Sequence, residues 1–167
     1  MSYISPFGTM DSDHEWADAL CLSRTHCENA AEDTFGEFFT AAIAVIDTGA
    51  AAQPAFFLAR QLAELALKAL IGPEHKKVHD LETLLEQLAQ RNDDLLGPGA
   101  EQLLIAEFFR DLHRIDPKGD EGRYPASRSG TPALAAVCCA NPALLREYVT
   151  LVYQYTQKRI APVEQPA

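Results

Sequence analysis

The chain has 167 residues, enough for one domain whose core needs neither disulfides nor metal to hold it. Its 47% hydrophobic and 23% charged residues are a globular composition and exclude extended disorder. A net charge of −10, from 14 Lys+Arg against 24 Asp+Glu, excludes a broad nucleic-acid surface, because phosphate binding draws on a local excess of cations.

The opening "MSYISPFGTMDSDHEW" lacks the basic region and following apolar stretch of a secretion signal. No apolar run approaches the roughly 18 to 20 residues that span a bilayer. A cytoplasmic protein without a membrane segment is expected. Cys21, Cys27, Cys138 and Cys139 show no CxxC spacing and suit reduced thiols. The run "CLSRTHC", with His14 and His26 nearby, has zinc-ligand chemistry, but small apolar thiols packed in a helix are the commoner arrangement. No metal and no cofactor are expected.

Apolar residues recur at helical spacing, and no run alternates with period two, so the chain reads as all-α. Residues 1–12 are expected to be irregular, 13–161 to form a single helical domain, and 162–167 to fray. A short helix is expected around Trp16 to Leu22. From Glu28 to about Asp47, Ala31, Phe35, Phe38, Phe39, Ala42, Val45 and Ile46 form one stripe, ended by Gly49 and Pro54. In "AFFLARQLAELALKALIG", Leu58, Leu62, Leu65, Ala66 and Ala69 read as a core face, and Arg60, Glu64 and Lys68 as a solvated i,i+4 charge ladder. Asp80 is placed to cap a helix with a leucine seam, Leu81, Leu84, Leu85 and Leu88. Glu101 to about His113 is expected to bury Leu104, Ile105, Phe108, Phe109 and Leu112. A break from Asp116 to about Ala140 follows, with "PALAAVCC" apolar enough to lie extended against the helices. Asn141 as cap and Pro142 at the first helical position open the last helix, with Leu145, Tyr148, Val149, Val152, Tyr155 and Arg159. The short connections imply a four- to five-helix up-and-down bundle with one long ordered loop before the last helix.

Charge is uneven. Residues 110–128 hold five basic and four acidic residues, which leaves nine against twenty elsewhere, so an anionic ligand finds its least repulsive approach there. Within that window lies "DLHRIDPKGDEGRYP", residues 111–125.

The stretch "ARQLAELALKALIGPEHKKVHDLETLLEQL", Ala59 to Leu88, resembles the second and third helices of HEPN (higher eukaryote and prokaryote nucleotide-binding) domains. There an "AE.ALKALL" helix is followed by a short loop, "HDL" and a leucine-rich helix. The likeness in helix order runs from about Phe35 to Ile160. The resemblance implies a four- or five-helix bundle, often a homodimer, acting on or near RNA or nucleotides. Members serve as RNases in toxin–antitoxin and other defence systems, as non-catalytic partners of nucleotidyltransferases, and as binding modules. The RNases carry Arg, four to six residues, then His. Here Arg110 and His113 are separated by two residues only, and no Arg is followed by His at the family spacing. Ile115-Asp116-Pro117 and Arg123-Tyr124-Pro125 resemble an "IDP…FRYP" segment of HEPN-like bacterial proteins, with Gly122 where an aromatic is more usual.

Metal-independent RNA cleavage needs a base for the 2′-hydroxyl, an acid for the leaving oxygen and a cation facing the phosphorane. His113 between Arg110 and Arg114 on one helical turn offers that set. The same residues also suit a plain polar helix end, where Arg and His offset the dipole. Pro117 forces Asp116 out of helical geometry, freeing its carboxylate to grip Arg123 across the turn and fix Tyr124, with His113 and Arg114 at the mouth of a shallow pocket. Asp116, Asp120, Arg123 and Tyr124 are the candidate binding residues. His79 is expected to orient the loop before the leucine helix, and His75, Lys76 and Lys77 to be a solvated basic face.

The leading expectation is a non-catalytic binding or interaction module, a homodimer, and one component of a bacterial defence or toxin–antitoxin pair. Its partner would be a protein encoded nearby, with RNA or nucleotide binding weak. A re-spaced RNase using His113, Arg110 and Arg114 is the alternative, and a dimerisation domain without ligand a third. The leucine seam and the Tyr148, Val152, Tyr155 face are expected to supply the dimer contact.

Overall fold

A computed structural model of the chain describes residues 34–91, 97, 99–126, 130, 132–135, 137 and 139–160. Five α-helices stand among them: α1 (Thr34–Thr48), α2 (Ala52–Ile71), α3 (Leu81–Gln90), α4 (Ala100–Ile115) and α5 (Pro142–Ile160). The domain is all-α, its extended pairing among the described residues being an isolated bridge between Ala126 and Pro132. The expected helix at Trp16 to Leu22, the start of the Glu28 stripe, and Cys21, Cys27, His14 and His26 lie outside the described residues.

Each helix forms for reasons visible in its own residues. Phe35, Ala42 and Ile46 of α1 are buried, with Phe38, Phe39 and Val45 packed beside them. Tyr153 of α5 stacks on Phe39 at 4.0 Å between ring centroids and lies 5.3 Å from Phe35, which joins α1 to α5. The side chain of Asp80 accepts from the amide of Thr83 at 2.7 Å and starts α3. Asn141 Oδ1 accepts from the amides of Ala143 and Leu144 and starts α5, with Pro142 at the position where a missing N–H costs nothing.

Residues 72–80 carry the chain back along α2. The carbonyl of His79 accepts from Arg60, while Arg91, just past α3, donates to the carbonyl of Ile71. α3 therefore begins beside the middle of α2 and ends beside its C-terminus, running in the same sense.

Three expectations are corrected here. Arg60 and Glu64 are not a solvated ladder: their relative exposures are 0% and 4%, inside the core face of α2. Leu104 is not buried but 44% exposed, whereas Ile105 and Phe109 fill the core. The seam of Leu81, Leu84, Leu85 and Leu88 is fully spent inside the domain, as are Val152 and Tyr155, with Tyr148 turned onto Phe108 at 5.2 Å. A short bundle can bury that much leucine because the return segment presents α3 to both α2 and α4. No helix among the described residues is long and apolar enough to cross a membrane.

Candidate functional site

The candidate site gathers where the end of α4 and the loop after it meet the middle of α2. Arg60 is its centre. Its Nε donates to the carbonyl of Asp116 at 3.3 Å, Nη1 to Glu64 Oε2 at 3.4 Å, and Nη2 to the carbonyl of His79. The planar guanidinium thus ties three segments together through donors fixed in one fork. Burial disfavours its charge and lowers its pKa, opposed by the carboxylates of Glu64, Asp116 and Asp80.

Glu64 is the counter-charge. Its Oε1 takes Lys68 Nζ at 2.7 Å and lies 2.9 Å from the Nδ1 of His79, whose ring is otherwise exposed. Burial works against the charged form, but the hydrogen bonds from Lys68 and His79 outweigh it and hold the carboxyl below its ordinary range. Glu64 thus stands between Arg60 at 3.4 Å and the half-buried Lys68 at 2.7 Å, so the buried guanidinium has a paired carboxylate.

Asp116 is fully buried. Its Oδ1 accepts from the amide of Asp120 at 3.0 Å, turning the chain at Pro117–Gly119, and its Oδ2 has no hydrogen-bond partner among the described residues. Gly119 closes that turn with φ of +72°, a left-handed conformation that favours glycine. At Gly122 a Cβ would lie 3.0 Å from Phe57 Cβ and 3.1 Å from Phe57 Cα. An aromatic there, as in the resembling segment, does not fit this packing; glycine lets the loop lie directly on the α2 backbone.

From Gly122 the chain runs back along α2. Gln53 Nε2 donates to the carbonyls of Tyr124 at 2.8 Å and Glu121 at 3.5 Å. Glu121 Oε2 accepts from the amide of Leu134, and the amide of Ala133 donates to the carbonyl of Pro125. Among the described residues the loop is thereby fastened at Glu121, Tyr124, Pro125, Ala133 and Leu134.

The expected grip of Asp116 on Arg123 is corrected. Asp116 points inward to the Asp120 amide, while the Arg123 guanidinium sits 5.5 Å from the centroid of the Phe57 ring. Pro117 does free the carboxylate, but the buried guanidinium of Arg60 claims the Asp116 segment instead. Tyr124 is 59% exposed and does not roof a pocket. Asp120 is exposed, its amide serving the turn.

The three residues proposed for cleavage do not converge. Arg110 Nη1 bonds Glu107, and Arg114 Nη2 bonds Asp111 at 2.9 Å, each pair three residues apart on exposed α4 surface. His113 is turned inward, its Nδ1 3.8 Å from Asp80 Oδ2 and without a hydrogen bond among the described residues. The amide of Thr83, with the charges of His113 and Arg60, holds the Asp80 carboxyl below its ordinary range although burial opposes this. Among the described residues no group of three His, Cys, Asp or Glu side chains is placed to hold a metal ion.

Arg60 and Glu64 were the functional-looking residues that the sequence reading missed. Their spacing is that of any surface ion pair; the available clue was Phe56, Phe57 and Ala63, apolar neighbours one turn away on the same face.

No curated protein and no solved structure gives a significant match to the chain. The model of the HEPN domain family matches residues 36–151, which takes in α2, α3, α4 and the whole clamped loop. With more than half its length matched and the helix order of that family in place, the chain belongs to the HEPN domain family.

Proposed function

We propose that this HEPN domain is a non-catalytic binding or interaction module, acting as a homodimer in the cytoplasm as one component of a bacterial defence or toxin–antitoxin pair. The observation that carries the non-catalytic reading is the separation of Arg110, His113 and Arg114: two guanidiniums are held by their own helix's carboxylates and the imidazole is turned toward Asp80. A phosphorane has no converging cations there. The dimer rests on the family, in which dimers are common, and no longer on the leucine seam. The defence setting rests on the resemblance alone. Its partner is a protein encoded nearby, and a net charge of −10 makes generic RNA binding weak.

One observation favours a second reading, the re-spaced RNase. A histidine facing a carboxylate, as His113 faces Asp80, is the arrangement that orients a general base. Incubating the purified chain with single-stranded RNA and resolving the products on a denaturing gel separates the two. The module reading expects intact RNA from wild type. Cleavage that His113→Ala abolishes, with the melting curve unchanged, replaces it with the RNase.

A further inference from the structure

We propose that His79 is a modification site, its Nε2 the atom that accepts a phosphoryl group from a small high-energy donor, a phosphoramidate or an acyl phosphate. The inference goes beyond the binding-module reading and does not depend on it.

The imidazole is held at one nitrogen and open at the other. Its Nδ1 lies 2.9 Å from Glu64 Oε1, and the ring is 63% exposed while the carboxylate that holds it is 5% exposed. Glu64 is kept below its ordinary range by the hydrogen bonds from Lys68 and His79, against the effect of burial. An ionised carboxylate can only accept, so the proton of the neutral ring sits on Nδ1 and its lone pair on Nε2. No hydrogen bond engages Nε2 among the described residues. The backbone is fixed too: the His79 carbonyl accepts from Arg60, and the next residue caps α3. A nucleophilic nitrogen is thus presented to solvent in one tautomer.

Two other histidines among the described residues provide the contrast. His75 is half-buried, and its Nδ1 lies 2.9 Å from a neutral acceptor, the carbonyl of Gly72. His113 is turned inward, its Nδ1 without a hydrogen bond. At His79 alone of these three does a hydrogen-bonded carboxylate stand behind an exposed ring.

Phosphoryl transfer exploits that difference. A hydroxyl nucleophile needs a base to take its proton, whereas Nε2 already carries its lone pair. That pair forms the N–P bond while the donor's bond to phosphorus breaks, the electrons leaving on ammonia or on a carboxylate. The ring is left an imidazolium with its Nδ1 proton still on Glu64. The carboxylate meets the new charge in full, where the carbonyl behind His75 offers only a dipole.

The test incubates the purified chain with phosphoramidate near neutral pH, follows it by phosphorus NMR, and assigns sites by mass spectrometry of digests kept alkaline. His79 should be modified first, as the Nε2 isomer, about fivefold or more faster than His75 or His113. His79→Asn should remove that signal and leave the rest. Glu64→Gln keeps an acceptor without the charge, and should slow His79 to the rate of His75. Glu64 also pairs with Arg60, so a melting curve accompanies this variant; the comparison among histidines of the wild-type chain needs no variant. Modification led by His75 or His113, an Nδ1 isomer at His79, a chain left unmodified, or a folded Glu64→Gln chain reacting at the full rate overturns the site. RNA cleavage dependent on His113 would remove the module reading and leave this order of modification untouched.

Discussion

Arg60 Nε donates to the backbone carbonyl of Asp116 at 3.3 Å, joining residues 56 positions apart in a volume closed to solvent. Removing the guanidinium would leave Glu64 with less counter-charge, the part-buried carbonyl of His79 without this donor, and the buried carbonyl of Asp116 with only the Gly119 amide at 3.4 Å. Breaking a buried charge network by deleting one partner costs about 3–5 kcal/mol, a large share of a small domain's stability. Arg60→Leu should therefore lower the urea midpoint sharply. Arg60→Lys should recover little, because an ammonium cannot reach three acceptors in the fork's geometry. A midpoint for Arg60→Lys close to wild type would refute the three-segment role.

Gly122→Ala tests whether the loop lies on α2 as closely as described. Its new methyl would meet the Cβ and backbone Cα of Phe57 at 3.0 and 3.1 Å, and a helix backbone cannot give way as a side-chain tip can. Overpacking of this kind costs about 1–3 kcal/mol. Thermal melting should show the loss, and an unshifted melt would mean that the loop stands off the helix.

Acid should weaken the fold through Glu64 and Asp80. Both carboxyls are held below their ordinary values in the folded chain. Their stabilisation is thus fully present above the unfolded-state values, about pH 4, and is lost as pH falls through the lower folded ones. Urea midpoints should be flat from these groups near neutrality and decline below about pH 4. Asp80→Asn keeps an acceptor for the Thr83 amide without titrating, so its decline should be shallower. An acid limb identical to wild type would acquit Asp80.

Arg110→Ala and Arg114→Ala each remove an exposed pair made within α4. Such pairs contribute about 0–1 kcal/mol, so both variants should melt near wild type. A larger drop in either would show that these guanidiniums serve the fold beyond their helix.

Much of the fold was legible because helix signals are local. The caps Asp80 and Asn141 act within three residues, and the stripes of α1, α3 and α5 need only periodicity. The site was less legible. Whether Arg60 and Glu64 face water or core depends on what arrives from the Asp116 segment, which i,i+4 spacing cannot report. Leu104 failed for the converse reason: an apolar residue at helical spacing finds the core only if a neighbour covers its sector. The leucine seam read correctly as apolar, but assigning it to a second copy required the path of residues 72–80, which brings α3 against α2 and α4. That Pro117 would release the Asp116 carboxylate was legible; that its partner would be the Asp120 amide and not Arg123 was not.

The meeting of α2, the His79 carbonyl and the Asp116 carbonyl on one guanidinium also governs how the domain comes apart. A loop hung only on surface contacts would open in small fluctuations while the helices stayed intact. Here the loop cannot lift without stripping an acceptor from a buried cation, so its opening is coupled to separation of α2 from the start of α3. In native-state hydrogen exchange, the amide of Asp120 should accordingly be protected nearly as well as the middle of α2, one cooperative unit in a segment with the composition of a free surface loop.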